Sequence, residues 1–325
     1  MRRFFIITFV SACALVSSLA ISSPGYFRYP ALHGTTVVFT AEVDLWKVDL
    51  KEGDLKHLNL NHLNLKQGHA IRLTSHPAEE KEAAISPGGK LVVYTARYEG
   101  TTEVYVIPMM GGVPKRVSYE SSRVRLHHWT LRAVDPVDMS VATLPLADAV
   151  EGVIDDAGEN VYFVQFGDQV SRDNLKFYRG GAAGQLWKYS LGGNREATRL
   201  TQKHRGSVRE PMLARDRLYF ISDESGNNNI WSMNLEGGEQ KQITDYTDWP
   251  VRTASVYQNK IFYQLGADIK LLNLDSGTSE VVDIRLNSDF PGLSERWIKK
   301  PLNYMSSAIL AGDHDKVVRP PCGID

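Results

Sequence analysis

Cysteine is nearly missing: the 325 residues hold two, Cys13 and Cys322. Cys13 falls inside an apolar leader-like stretch, so a mature chain keeps only Cys322 and no internal disulfide is expected. A core of this size holds together without cross-links. An excess of either charge is missing too, since 37 Lys and Arg stand against 38 Asp and Glu, a formal net charge of −1. That balance gives no reason to expect nucleic acid or an anionic membrane surface as a partner. One long apolar run exists, Phe4 to Val16, and it is too short to span a bilayer comfortably. Neither a Gly-x-Ser-x-Gly elbow nor a His-Glu-x-x-His helix occurs, so catalytic signatures of those types are lacking.

What the sequence has instead is repetition. Arg72-Leu73-Thr74 returns as Arg116-Val117-Ser118, Arg199-Leu200-Thr201 and Gln242-Ile243-Thr244. The spacing is about 42 to 44 residues, the period of four-stranded propeller blades. One whole copy runs from the strand Glu82 to Ser86, through the turn Pro87 to Lys90, to a second strand Leu91 to Ala96. A hairpin at Glu99 to Thr102, a third strand Val104 to Ile107, a turn Met110 to Gly112 and the closing Lys115 to Ser118 complete it. The same landmarks recur at Leu218 to Ser222, Ser225 to Asn228, Ile230 to Met233, Glu236 to Gly238 and Lys241 to Thr244. The fold expected is all-β, a six-bladed β-propeller of four-stranded antiparallel blades over residues 21–284. An all-β sandwich with evenly spaced strands is the alternative.

The third repeat departs from the pattern. After His127-His128-Trp129-Thr130 the chain passes at once to Leu131 to Pro136, which reads like a third strand, so about fifteen residues are missing against the repeat. An incomplete third blade with unpaired edges is expected. At the start of the chain, Arg2-Arg3, the apolar run and Ser18-Leu19-Ala20 have the three parts of a secretory signal, 1–20, with cleavage after Ala20 and an exported, periplasmic product. Lipidation at Cys13 is the alternative. Residues 285–325 read as a crossing segment and the aborted start of a second propeller, stopped by Pro320-Pro321.

The blade pattern is shared with TolB-type and prolyl-oligopeptidase-type propellers. Three segments are more specific: Gly25 to Gly34, Tyr178-Arg179-Gly180-Gly181 with Gln185-Leu186-Trp187, and Ser288 to Trp297. In these the chain resembles the N-terminal propeller of tricorn-type serine peptidases. The resemblance implies a non-catalytic propeller that guides or gates peptides for a PDZ-like module and a serine-peptidase core lying further on. No segment here resembles those later parts, so the chain is expected to be inactive alone. A stand-alone periplasmic TolB-like binding propeller, or an inert remnant of a disrupted peptidase gene, are the alternatives. The expected partners are peptides or a protein, without nucleic acid, without a membrane beyond the export signal, and without cofactor or metal.

Candidate site residues follow from charge and position. In tricorn-type peptidases two adjacent arginines on this propeller anchor a peptide carboxylate, and the nearest counterpart here is Arg123 with Arg125. They are separated by one residue, which puts both on one face of a strand, unlike an adjacent pair. Two solvated arginines near a loop is the plainer alternative. Arg28, Arg209 and Arg252 each lie near the start of an expected innermost strand, which would make a partial ring of positive charge at the channel, or else solvated rim residues. His57, His62, His69 and His76 lack a ligand-like companion and read as loop residues. Trp46, Trp187 and Trp231 share one place in their repeats and read as packing between blades. Asp44, Asp216 and Asp223 read as turn residues.

Overall fold

The computed structural model describes residues 26–50, 68–119, 132–135, 138, 140–166, 178–193, 196–286, 288, 309–310 and 317–318. Among these the regular elements are all strands. Each blade is one continuous stretch of chain folded as a four-stranded antiparallel meander. The first is β1 (Arg28–His33), β2 (Thr36–Ala41), β3 (Asp44–Asp49) and β4 (Gly68–Arg72). The second is β5 (Glu80–Ile85), β6 (Leu91–Ala96), β7 (Glu103–Pro108) and β8 (Lys115–Arg116). Among the described residues of the short repeat is a two-stranded ribbon, β9 (Arg132–Val134) and β10 (Val141–Thr143). The third blade is β11 (Ala149–Ile154), β12 (Asn160–Gln165), β13 (Gln185–Ser190) and β14 (Thr198–Arg199). The fourth is β15 (Val208–Ala214), β16 (Arg217–Ser222), β17 (Asn229–Asn234) and β18 (Lys241–Gln242). The fifth is β19 (Val251–Tyr257), β20 (Lys260–Leu265), β21 (Asp268–Asn273) and β22 (Ser279–Val281).

The structure therefore corrects the expected count. Among the described residues five four-stranded blades are present rather than six, and the third repeat, about fifteen residues short, is the one that does not supply a four-stranded blade. The all-β propeller architecture itself stands. After the fifth blade, β23 (Ile284–Leu286) returns to the outer edge of the first and pairs in parallel with β4, covering an edge that would otherwise be open. Residues Ser288–Asp325 form a separate unit, within which β24 (Ile309–Leu310) pairs with β25 (Val317–Val318).

The innermost strands neighbour one another in the order β5, β1, β19, β15, β11. Apolar clusters fill the seams between them. Val38 and Leu45 meet Tyr94 and Ile107 between the first and second blades, and Leu186 meets Val208 and Phe220 between the third and fourth. Ile221 and Ile230 meet Ile261 and Tyr263 between the fourth and fifth, and Phe39 meets Phe262 and Ile284 where the fifth returns to the first. Phe39, Phe220 and Phe262 are fully buried, and each contributes about 2 kcal/mol by leaving water.

The recurring triplet has a physical reason. Its last residue is a hydroxyl that accepts the first free amide of the third strand of the same blade. Leu45 N–H donates to Thr74 (2.9 Å), Val104 N–H to Ser118 (2.9 Å), Leu186 N–H to Thr201 (3.0 Å) and Ile230 N–H to Thr244 (2.9 Å). Here the outer strand ends and the hydroxyl continues the ladder, so the N–H is not left unpaired. The triplet's first residue pairs in register with the aromatic of that strand: Arg72 with Trp46, Arg116 with Tyr105, Arg199 with Trp187, Gln242 with Trp231.

Candidate functional site

Four of the five innermost strands begin in one way. The first residue, or for β1 the residue just before it, donates a main-chain hydrogen bond to a hairpin of the neighbouring blade: Phe27 to Ala267 O (3.1 Å), Glu80 to Val43 O (2.9 Å), Val208 to Gly184 O (3.1 Å), Val251 to Asn228 O (2.9 Å). A β-bulge follows in all five inner strands. Tyr29, Glu82 and Glu210 occupy the left-handed backbone region there, at φ of 50°, 56° and 51°, although none is glycine. Pro30 and Pro211 fit inside the bulge because the extra residue makes no ladder bond.

This shared register stacks two sets of charges. At the second residue, counting Phe27, Glu80, Ala149, Val208 and Val251 as first, stand Arg28, Lys81, Arg209 and Arg252, with Val150 in the third blade; the register shifts after Arg28, Lys81 and Arg209 but already after Val251 and Ala149. At the next residue stand Tyr29, Glu82, Glu151, Glu210 and Thr253. The three expected arginines thus occupy equivalent positions, joined by Lys81, which a search for arginine alone overlooks. The acidic set went unread although its signal, a carboxylate one residue further on, was available.

The cations are interleaved with these acids rather than forming a bare positive ring. Glu79 bridges Arg28 (2.6 Å) and Lys81 (2.8 Å), and Arg28 also lies over the Tyr26 and Tyr29 rings. Arg209 donates to Val251 O (2.9 Å) across the seam. Glu151 accepts the main-chain amide of Glu210, and Glu210 in turn accepts that of Ala254, so each carboxylate ties its blade to the next. Burial pushes the Glu210 carboxyl up to about 8, with Glu151 and Glu82 adding to the rise and Arg209 and the Ala254 amide opposing it. Arg123 and Arg125 lie outside the described residues, as do His57 and His62. His69 is exposed on β4, and His76 packs on the Tyr98 ring at 4.0 Å.

A second feature lies at the same end of the blades, where β14 leads into β15. A cavity of about 630 Å³ is lined by Arg179, Arg199, Arg205, His204, Gln185 and a set of glycines. Asp223 holds Arg179 through both carboxylate oxygens (3.1 and 2.9 Å) and its own carbonyl (3.0 Å), and accepts the Ser207 amide (2.8 Å). Asp223 is therefore an ion-pair partner as well as a turn residue. His204 is buried and joined to Ser222 Oγ (2.7 Å) and Gln240 Oε1 (3.2 Å). The amide oxygen can only accept, so Nδ1 carries the proton and Nε2 accepts from Ser222. Burial lowers the His204 pKa, consistent with that neutral ring. Ser222 is fully buried, which makes the His204–Ser222 pair a structural contact rather than a nucleophile and its base.

The family model for the tricorn protease N-terminal β-propeller domain matches residues 24–133 and 127–278. The two stretches meet where the third repeat runs short. A tricorn protease homolog of Saccharolobus solfataricus is 27% identical over 314 residues, covering 90% of this chain and 28% of that protein. Tricorn protease homolog 1 of Streptomyces coelicolor is 27% identical over 307 residues, covering 85% of this chain and 27% of that protein. Among solved structures, that of the tricorn protease superposes with a TM-score of 0.65 at 21% identity, over 83% of this chain and 27% of that one. The 325 residues thus span little more than a quarter of these relatives' length.

Proposed function

Since the chain belongs to the tricorn protease N-terminal β-propeller family, we propose that it serves as the non-catalytic propeller of a tricorn-like serine peptidase and guides peptides to a catalytic core. The observation that carries this reading is the stacking of Arg28, Lys81, Arg209 and Arg252 at one register of the innermost strands, one residue from Glu82, Glu151 and Glu210. Peptides carry both charge signs at their termini, and a narrow passage with alternating cations and carboxylates retains either end weakly without trapping it. Arg123 and Arg125 belong to the same proposal as carboxylate anchors.

Binding of free-acid and amidated versions of one neutral peptide tests it. The acid should bind better, by roughly 1 kcal/mol, and the preference should shrink as salt rises. Arg252→Ala should erase part of that preference without unfolding the chain. Equal binding of acid and amide by a folded sample would remove the support for this role. Alone, the protein should not hydrolyse fluorogenic peptides, because no nucleophile and base are discernible in its sequence; turnover abolished by a serine-directed inhibitor would contradict this. We place the mature protein outside the cytoplasm on the strength of residues 1–20, and an intact mass ending that segment at Ala20 is the corresponding check.

A further inference from the structure

The first two blades neutralise the triplet arginine with an acid at the head of the third strand. Arg72 lies 3.4 Å from Asp44 and 3.4 Å from Glu42. Arg116 lies 2.7 Å from Glu103 and also pairs with Glu99. In the fourth blade both members are neutral, Gln242 and Asn229. The third blade breaks the rule: it keeps the cation, Arg199, but the head of its third strand is Gln185. Arg199 has no carboxylate partner among the described residues, and its Nε is buried without any hydrogen-bond partner. A guanidinium nitrogen shut from water and left unpaired is costly unless something completes it.

Arg199 lines the 630 Å³ cavity, and the other groups there leave its charge open. Arg179 is already neutralised by Asp223, and the floor residue His204 is neutral. Arg205 is exposed at the wall; its main-chain amide donates to Glu224 (2.7 Å), and its side chain has no ion-pair partner among the described residues. Gly181 is exposed among the lining residues, and a Cβ there would meet nothing within 4 Å. We propose that this cavity is an anion subsite in which Arg199 and Arg205 take an acidic side chain of a peptide. A single inorganic anion would leave most of the volume unfilled, whereas a peptide segment fills it and brings the carboxylate with it. The assignment of the ligand as peptide rests on the peptide-guiding reading above; the site's preference for an anion does not.

The experiment titrates the full chain with an acetylated, amidated tetraglutamate peptide and with its tetraglutamine analogue, neither of which has a free terminus for the inner-strand arginines to hold. Tetraglutamate should bind at least about tenfold more tightly. Arg199→Met should remove that preference, and Gln185→Glu should remove it equally by supplying the acid that the first two blades carry. Gly181→Leu should block the mouth while leaving the unfolding temperature unchanged, and Arg252→Ala should leave the preference intact. Equal affinity for the two peptides, or a preference that survives Arg199→Met and Gln185→Glu in folded samples, would overturn the site. Displacement of tetraglutamate by an equal concentration of inorganic phosphate would overturn the peptide as its ligand. Loss of the preference in Arg252→Ala would place the binding at the inner strands instead.

Discussion

The second and third blades are the same meander with the same hydroxyl under the same strand, yet an arginine at one register position has two different fates. In the second blade Arg116 is clasped by Glu103 and Glu99 and lies over the Tyr119 ring at 4.8 Å. In the third, Arg199 faces Gln185 and a cavity. The repeat fixes where a side chain is held; the neighbour across the strand pair decides whether that side chain is structural or open to a ligand. The first blade sits between the two, since its acid, Asp44, stands farther from Arg72 than Glu103 does from Arg116.

Swapping the acid is the strongest way to break the comparison. Glu103 is buried and holds both Arg116 and Ser118, so Glu103→Gln should lower the unfolding free energy by about 2 kcal/mol, read by urea titration. The hydroxyl pairs one amide in each blade, so Thr201→Val should lose about 1 kcal/mol by orphaning the Leu186 amide, and Ser118→Ala should lose more, because it orphans the Val104 amide and also takes a donor from Glu103. Equal losses would mean that the Ser118–Glu103 bond adds nothing to the second blade.

The first blade sharpens the comparison through pH. Burial, followed by the nearby Glu80, pushes the Asp44 carboxyl up to about 6, against the opposing pull of Arg72. A folded pKa above the unfolded value of about 4 means that folding takes up a proton. The contribution of Asp44 to stability is thus full below pH ~4 and lost as the pH rises through ~6. Asp44→Asn should flatten that decline, and an unchanged pH profile of unfolding would contradict the assignment. The smallest effect is expected for Gln185→Glu, which completes an ion pair that is partly exposed: a gain of about 0.5 kcal/mol at low salt that fades as salt is added.

Much of this was legible in the sequence, and for local reasons. The triplet's hydroxyl, the β-branched runs and the glycine turns lie within single repeats, so the strands and the blade architecture could be read directly. The shortage after Trp129 was visible as well and led to the expectation of an incomplete third blade; the spacing did not reveal that the described part of that repeat is the ribbon β9 and β10. Arg28, Arg209 and Arg252 could be aligned by their place near the start of an innermost strand. Glu79, Glu151 and Glu210 act across seams between blades, and no spacing within one repeat announces a partner in the next. Asp223 read as a turn residue because its partner, Arg179, lies in the preceding blade, 44 positions away.

The most direct measurement compares Arg116→Met with Arg199→Met by thermal unfolding at one pH and salt concentration. Methionine keeps the apolar stem and removes the charge. We expect Arg116→Met to unfold several degrees below the parent chain, since it strands the buried Glu103 carboxylate, while Arg199→Met unfolds at the parent temperature or above it. Equal losses in the two variants would show that Arg199 is a structural ion-pair residue like Arg116, and the distinction between the two blades would fail.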